Sequence, residues 1–289
     1  MTRRTCLVAA ALLGLAGALV IPRSAPAQGL SGLTGGGEPL EIQAEQGIAW
    51  KRDAQVYVAR GNARATRGDL TVDADTLTAH YRERAGTDGT EIHRIVASGN
   101  VKLTTPGETA YGDRGVYDLD KAVMVLRGGN LRLVTGSETI TAEDSLEYWT
   151  ARDLAVARGN AVARNQLADG ERRVAAQILA AHLAQGNGDA GNGQREITRI
   201  EAFERVRVAS PNTFARGDKG VYVTRSRIAT LVGDVRISRG ENQLNGGYAE
   251  VNLSSGVSRL LGAPPDSEAK ARVRGLLRPR EEGIRAPAE

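Results

Sequence analysis

The residues that could do chemistry come mostly as acid pairs. Asp73 with Asp75, Asp118 with Asp120, and Glu143 with Asp144 each set two carboxylates close together, the stock from which a glycosidase builds its acid and its nucleophile or base. Each pair lies beside sequence expected to turn, where Asp is favoured because its side chain hydrogen-bonds nearby backbone. Turn chemistry is the simpler account. Aromatic residues make up 4 % of the chain, too few for sugar-stacking subsites. His80, His93 and His182 are scattered without a second histidine or a cysteine at ligand spacing, so neither a metal site nor a cofactor is expected. Gly186, Gly188 and Gly191 satisfy G-x-G-x-x-G, but no helix pattern follows them, and a dinucleotide site needs a strand before and a helix after. No G-x-S-x-G elbow is present. The residues do not read as an enzyme.

What they read as is an array. Glu91-Ile92-His93-Arg94-Ile95 recurs as Glu196-Ile197-Thr198-Arg199-Ile200, and Gly112-Asp113-Arg114-Gly115-Val116-Tyr117 recurs as Gly217-Asp218-Lys219-Gly220-Val221-Tyr222. Pro106 matches Pro211 at the same offset of 105 residues. A shorter period of about 30 residues is marked by Gly61-Asn62, Gly99-Asn100, Gly129-Asn130, Gly159-Asn160 and Gly233-Asp234, with Glu204-Arg205 in the corresponding place. Between markers, apolar and polar residues alternate and turn signals recur every seven to twelve residues. That texture is all-β: a jellyroll or solenoid-like stack of short antiparallel strands with tight turns and open ends. Arg173 to Leu183 is alanine-rich and locally helix-compatible, yet its alignment with the repeat places a strand there.

After each marker the first and third residues are apolar: Val101 and Leu103, Leu131 and Leu133, Val206 and Val208, Val235 and Ile237, with alanines at Ala63, Ala65, Ala161 and Ala163. The residue between them is Arg64, Lys102, Arg132, Val162, Arg207 or Arg236. Neighbours on a strand face opposite ways. Stacked rungs therefore line an interior with aliphatic side chains and carry a basic column outside. That column reads first as a solvated face that discourages edge pairing, and second as an anion-binding stripe.

Residues 1–27 read as a signal peptide: Arg3 and Arg4, an apolar run from Leu7 to Ile21, and Ala25-Pro26-Ala27 with cleavage expected near Ala27. Removing Arg3, Arg4 and Arg23 lowers the net charge from +4 to about +1, which takes away the main support for a nucleic-acid partner. It also removes Cys6, the sole cysteine, so the exported chain depends on its core and backbone pairing. Residues 28–38 read as a flexible linker. Residues 39–262 form one array with an internal duplication (about 39–155 and 156–262). Residues 263–289 read as a flexible tail, with a final strand possible at Arg272 to Leu277.

Arg94-Ile95-Val96-Ala97-Ser98-Gly99-Asn100-Val101, then Thr104-Thr105-Pro106-Gly107-Glu108-Thr109-Ala110, then Gly112 to Tyr117, with their second copy from Ile200 through Leu244, resemble the LptA/OstA family of lipopolysaccharide-transport proteins. The resemblance covers roughly residues 38–262. It implies a periplasmic β-jellyroll that is not an enzyme and that shelters the acyl chains of lipopolysaccharide in an apolar groove between the inner and outer membranes. Implied partners are an inner-membrane LptC-type protein with its extraction complex, an outer-membrane LptD-type translocon, and further copies joined head to tail. On this reading Val101, Leu103, Leu131, Leu133, Val206, Val208, Val235 and Ile237 line the groove. The alternatives are an exported structural β-solenoid scaffold and a carbohydrate-active β-helix enzyme.

Overall fold

The computed structural model describes residues 40–83, 89–136, 138–168, 170–185, 195–252, 254–255, 257–268 and 271–278. The expected leader, the linker and the Gly186–Gly191 stretch lie outside them. Eighteen strands form one sheet. The first half holds β1 (Glu41–Gln43), β2 (Ile48–Lys51), β3 (Val56–Arg67), β4 (Leu70–Glu83), β5 (Thr90–Thr105), β6 (Glu108–Asp118), β7 (Val123–Arg127), β8 (Arg132–Thr135), β9 (Glu138–Thr141) and β10 (Ser145–Trp149). The second holds β11 (Leu154–Leu167), β12 (Gly170–Gln185), β13 (Arg195–Ser210), β14 (Thr213–Val223), β15 (Ile228–Arg239), β16 (Asn242–Asn252), β17 (Ser258–Leu261) and β18 (Arg274–Leu276).

Pairing is antiparallel throughout and runs as a meander, each long strand against the next. Four lines are interrupted: β1 with β2, β7 with β8, β9 with β10, and β17 with β18 each share one neighbour. The alanine-rich stretch is strand, as the repeat required, because both its edges are paired in the ladder. The strand expected near Arg272 is β18, paired with β16.

The Gly-Asn markers correct the sequence reading. Except for Gly129-Asn130, which falls between β7 and β8, they do not join short strands but lie inside long ones, as bulges where two residues oppose one. In β5, Gly99 and Asn100 take φ of +79° and +48°, and the ladder to β6 jumps from Ser98 to Val101 while skipping only Asp113 on the partner. The same jump occurs at Arg60/Ala63, Arg158/Ala161, Phe203/Val206 and Val232/Val235. Pro106 and Pro211, by contrast, do lie at hairpin ends, between β5 and β6 and between β13 and β14.

An acid stands against a glycine at or beside four of the markers. Asp75 lies against Gly99, Asp113 against Gly128, Asp144 against Gly159, and Asp218 against Gly233, so close that a Cβ on any of these glycines would run into the acid. Asp113 accepts from the Gly129 backbone N–H at 2.7 Å, and Asn100 donates to both oxygens of Asp75. Asp113 and Asp75 therefore satisfy donors beside the glycines they face.

A bulge bends its strand and sharpens the local twist. Repeated down the sheet, the bends fold it onto itself. Inner residues from both sides of the bulge line, among them Ala59, Leu77 and Leu126 on one side and Ala65, Leu103 and Leu131 on the other, belong to a single buried cluster. Gly99→Ala combines a positive φ with the Asp75 clash and is expected to destabilise by about 2 kcal/mol or more in urea unfolding. Asp75→Ala added to it should recover part of that loss, whereas Gly47→Ala, at φ +94° in open space, should cost only the backbone share.

Candidate functional site

The inner face is a set of cross-strand rows, each one residue deep. One row runs Leu77–Ala97–Gly115–Leu126 across β4 to β7 and returns as Leu179–Ala202–Gly220–Leu231 across β12 to β15. Large and small alternate, so neighbouring side chains interdigitate. The glycines of the repeated Gly-Asp-x-Gly-Val-Tyr motif are part of that fit. A Cβ on Gly115 would sit 3.2 Å from Leu126 and 3.4 Å from Val101, and one on Gly220 would sit 3.4 Å from Val206.

Beyond the bulge, a second inner row contains four of the eight expected groove residues, Leu103, Leu133, Val208 and Ile237, in register with Val72, Ala110, Ile140, Val174, Ala215 and Leu244. Val101, Val206 and Val235 occupy the bend itself and are each 1 % exposed. Leu131 is buried beside them, while Leu133 and Val208 are half-buried. All eight point inward. Ala63 and Ala161, which could have left room, are fully enclosed.

The two lips of the fold differ in chemistry. One carries Trp50, Tyr57, Ile95, Tyr117, Met124 and Tyr148 on the inner face. The other carries Arg67, Thr105, Glu108, Thr135 and Glu138 on the inner face. They meet: burial pushes the Tyr117 hydroxyl up in pKa, and the Arg67 guanidinium across the mouth pulls it down. In the second half the corresponding residues Ile200, Tyr222, Ala229 and Val251 form a cluster of their own, separate from the main core. The sequence marked the interior but not this mouth, whose polar side falls after the alternating runs.

At the first open end, Leu40, Ile42, Ile48, Tyr57, Ala59 and Leu77 line an apolar cavity of about 10 Å³, room for scarcely one water. Trp50 stands at its edge, half exposed, donating from Nε1 to the Tyr81 hydroxyl at 2.7 Å and stacked on Tyr57. A larger polar concavity of about 610 Å³ lies on the outer face, lined by Glu45, Asn62, Arg64, Asp73, Asp75 and Asn100. Its acids are already engaged: Asp73 with Arg64 at 2.6 Å, Asp75 with Asn100, Glu45 with Asn62. Of the other pairs, Asp118 accepts from the Lys121 backbone N–H, as turn chemistry requires, Asp120 holds Arg82, and Glu143 accepts from Asn160. His80 and His93 lie 6.3 Å apart between ring centres, and His182 contacts Glu201 at 3.2 Å. Among the described residues no group of three or more metal-binding side chains converges.

Burial raises the pKa of Glu108 at the polar lip. A carboxyl raised above its unfolded value lends stability that is complete below that value and is lost as pH climbs through the raised one. At neutral pH the charge is therefore a burden. Glu108→Gln is expected to raise the melting temperature at pH 7 by about 2–4 °C, with the difference vanishing below the ordinary carboxylate range. A gain that persists unchanged into acid would contradict this.

Residues 41–149 match the family described as LptA/(LptD N-terminal domain) LPS transport protein. An uncharacterized protein of Rhizobium meliloti (strain 1021) is 29 % identical over 136 residues, which make up 44 % of this chain and 72 % of that protein. The crystal structure of LptH, the LptA homologous periplasmic component of the lipopolysaccharide transport device from Pseudomonas aeruginosa, aligns over 84 % of this chain and 96 % of its own at 11 % identity and a TM-score of 0.22. Over residues 41–149, within an all-antiparallel β architecture, the chain is similar to the LptA/(LptD N-terminal domain) LPS transport protein family.

Proposed function

We propose that this protein is an exported, periplasmic bridge that binds lipopolysaccharide and shelters its acyl chains inside the folded sheet during passage between the membranes. One observation carries the reading. The apolar inner rows continue without a break from the family-matched half into the second half, so a chain could pass from rung to rung with no polar step. Exposing an acyl chain of about twelve methylenes to water costs roughly 10 kcal/mol. A carrier through an aqueous compartment has to cover that surface along its whole path.

The apolar cavity at the first open end, about 10 Å³, admits no acyl chain. Loading therefore requires the lips to part. The second half, where the lip residues are already a separate cluster, is where parting disrupts the fewest contacts. Both ends of the sheet suit the expected partners. Ile48 and Trp50 at β2, and Leu276 at β18, are at least half exposed beside strand edges that pair with no described residue, the template for strand addition by an LptC-type or LptD-type jellyroll or a second copy.

The tight closure also favours a second reading, an exported scaffold whose interior is only a core. Site-specific photocrosslinking separates the two. A crosslinker at Leu103 or Leu133 is expected to capture lipopolysaccharide, while one at Lys102 or Arg132, one residue earlier and on the outer face, is not. Equal capture from all four, or silence from both leucines, would leave the scaffold.

A further inference from the structure

The outer face of the bend carries the basic column, and the two halves of the molecule treat it differently. One cross-strand row runs Arg64–Asp73–Lys102–Tyr111–Arg132 in the first half. Each cation there has a compensating neighbour: Arg64 bonds Asp73 at 2.6 Å, Lys102 stands between Asp73 and Tyr111, and the Arg132 guanidinium lies 4.5 Å over the Tyr111 ring. The equivalent row in the second half runs Arg207–Arg216–Arg236–Asn245–Arg274. Arginine is set directly against arginine on three adjacent strands, an arrangement that like-charge repulsion disfavours.

The acids on this face do not neutralise it. Asp234 takes Arg216 at 2.8 Å, Asp218 is committed to the bulge at Gly233, and Glu204 lies in the bulge of β13. Arg207, Arg236 and Arg274 are exposed and make no ion pair with a described residue. Adjacent strands are about 4.8 Å apart, so the forks of Arg207 and Arg236, on either side of Arg216, stand roughly 10 Å apart, and each matches the oxygens of a phosphate. Two residues further on, and on the same face, stand Phe214, 41 % exposed, and Leu276, 60 % exposed. A row of arginines bordered by bare apolar side chains suits a boundary that is anionic outside and oily beneath.

We propose that the outer face of the second half, through Arg207, Arg236 and Arg274 with Phe214 and Leu276, docks on the phosphate-bearing surface of a lipid leaflet. The internal repeat supplies the control. Arg207→Gln/Arg236→Gln leaves the Arg216–Asp234 pair intact, and Lys102→Gln/Arg132→Gln removes equal charge from the same row of the first half.

Vesicle cosedimentation of the full chain compares phosphatidylcholine alone with mixtures containing roughly 30 % phosphatidylglycerol. The unaltered protein is expected to bind only the anionic vesicles. The second-half variant should bind at least about tenfold more weakly, each single replacement should fall between, and the first-half variant should stay within about twofold of the unaltered protein. Phe214→Ser should also weaken vesicle binding. Far-ultraviolet circular dichroism confirms that each variant keeps its sheet. Equal loss from both double variants would reduce the effect to diffuse charge and overturn the proposal, as would equal binding to neutral vesicles. Stabilisation by inorganic phosphate without vesicle binding would replace the leaflet by a soluble anion and overturn it too.

Discussion

A left-handed pair of residues in the middle of a strand is the constraint from which the rest follows. At Gly61-Asn62, Gly99-Asn100, Gly159-Asn160, Glu204-Arg205 and Gly233-Asp234 the backbone takes positive φ twice in succession, and the ladder loses register by one residue. An acid occupies the space a Cβ would need at Gly99, Gly159 and Gly233, from the preceding strand at Gly99 and Gly233 and from the residue just before β10 at Gly159. Without the bend, the inner rows would be one face of a flat sheet open to water. With it, residues from both sides of the bend join one core. Glu204-Arg205 shows that the bend tolerates non-glycine residues, with both φ values still positive.

The closed interior and its proposed use are compatible because the walls are held by different means. Rung to rung, the backbone ladder binds strands together and resists separation. Across the mouth, only side-chain contacts such as those between the aromatic and the polar lip hold the walls, and in the second half even these divide into two clusters. Widening the mouth breaks no ladder bond. It exposes apolar surface, which an acyl chain would cover again at about 0.8 kcal/mol per methylene.

Much of this was legible in the residues. The alternation after each marker placed Val101, Leu103, Val206, Val235 and their companions inward, because a strand has only two faces. The 105-residue repeat foretold the matching inner rows. The markers themselves misled: a Gly-Asn pair is also the chemistry of a tight hairpin turn, and only the pairing of both flanks with one neighbour distinguishes bulge from turn. For the same reason Asp75 and Asp144 read as turn residues and not as supports for a following strand's bulge. Arg216 and Arg274 escaped notice because they sit on strands without a marker, where the row is fixed by cross-strand register and not by spacing along the chain.

On the proposed function, lipid enters by parting the lips. Spin labels at Asp69, in the turn of the polar lip, and Lys121, in the turn of the aromatic lip, report that distance directly by double electron–electron resonance in a chain with Cys6 replaced. Saturating lipopolysaccharide should lengthen and broaden the distance distribution, while a soluble sugar fragment without acyl chains leaves it as it was. An unchanged distribution at saturation would contradict the claim.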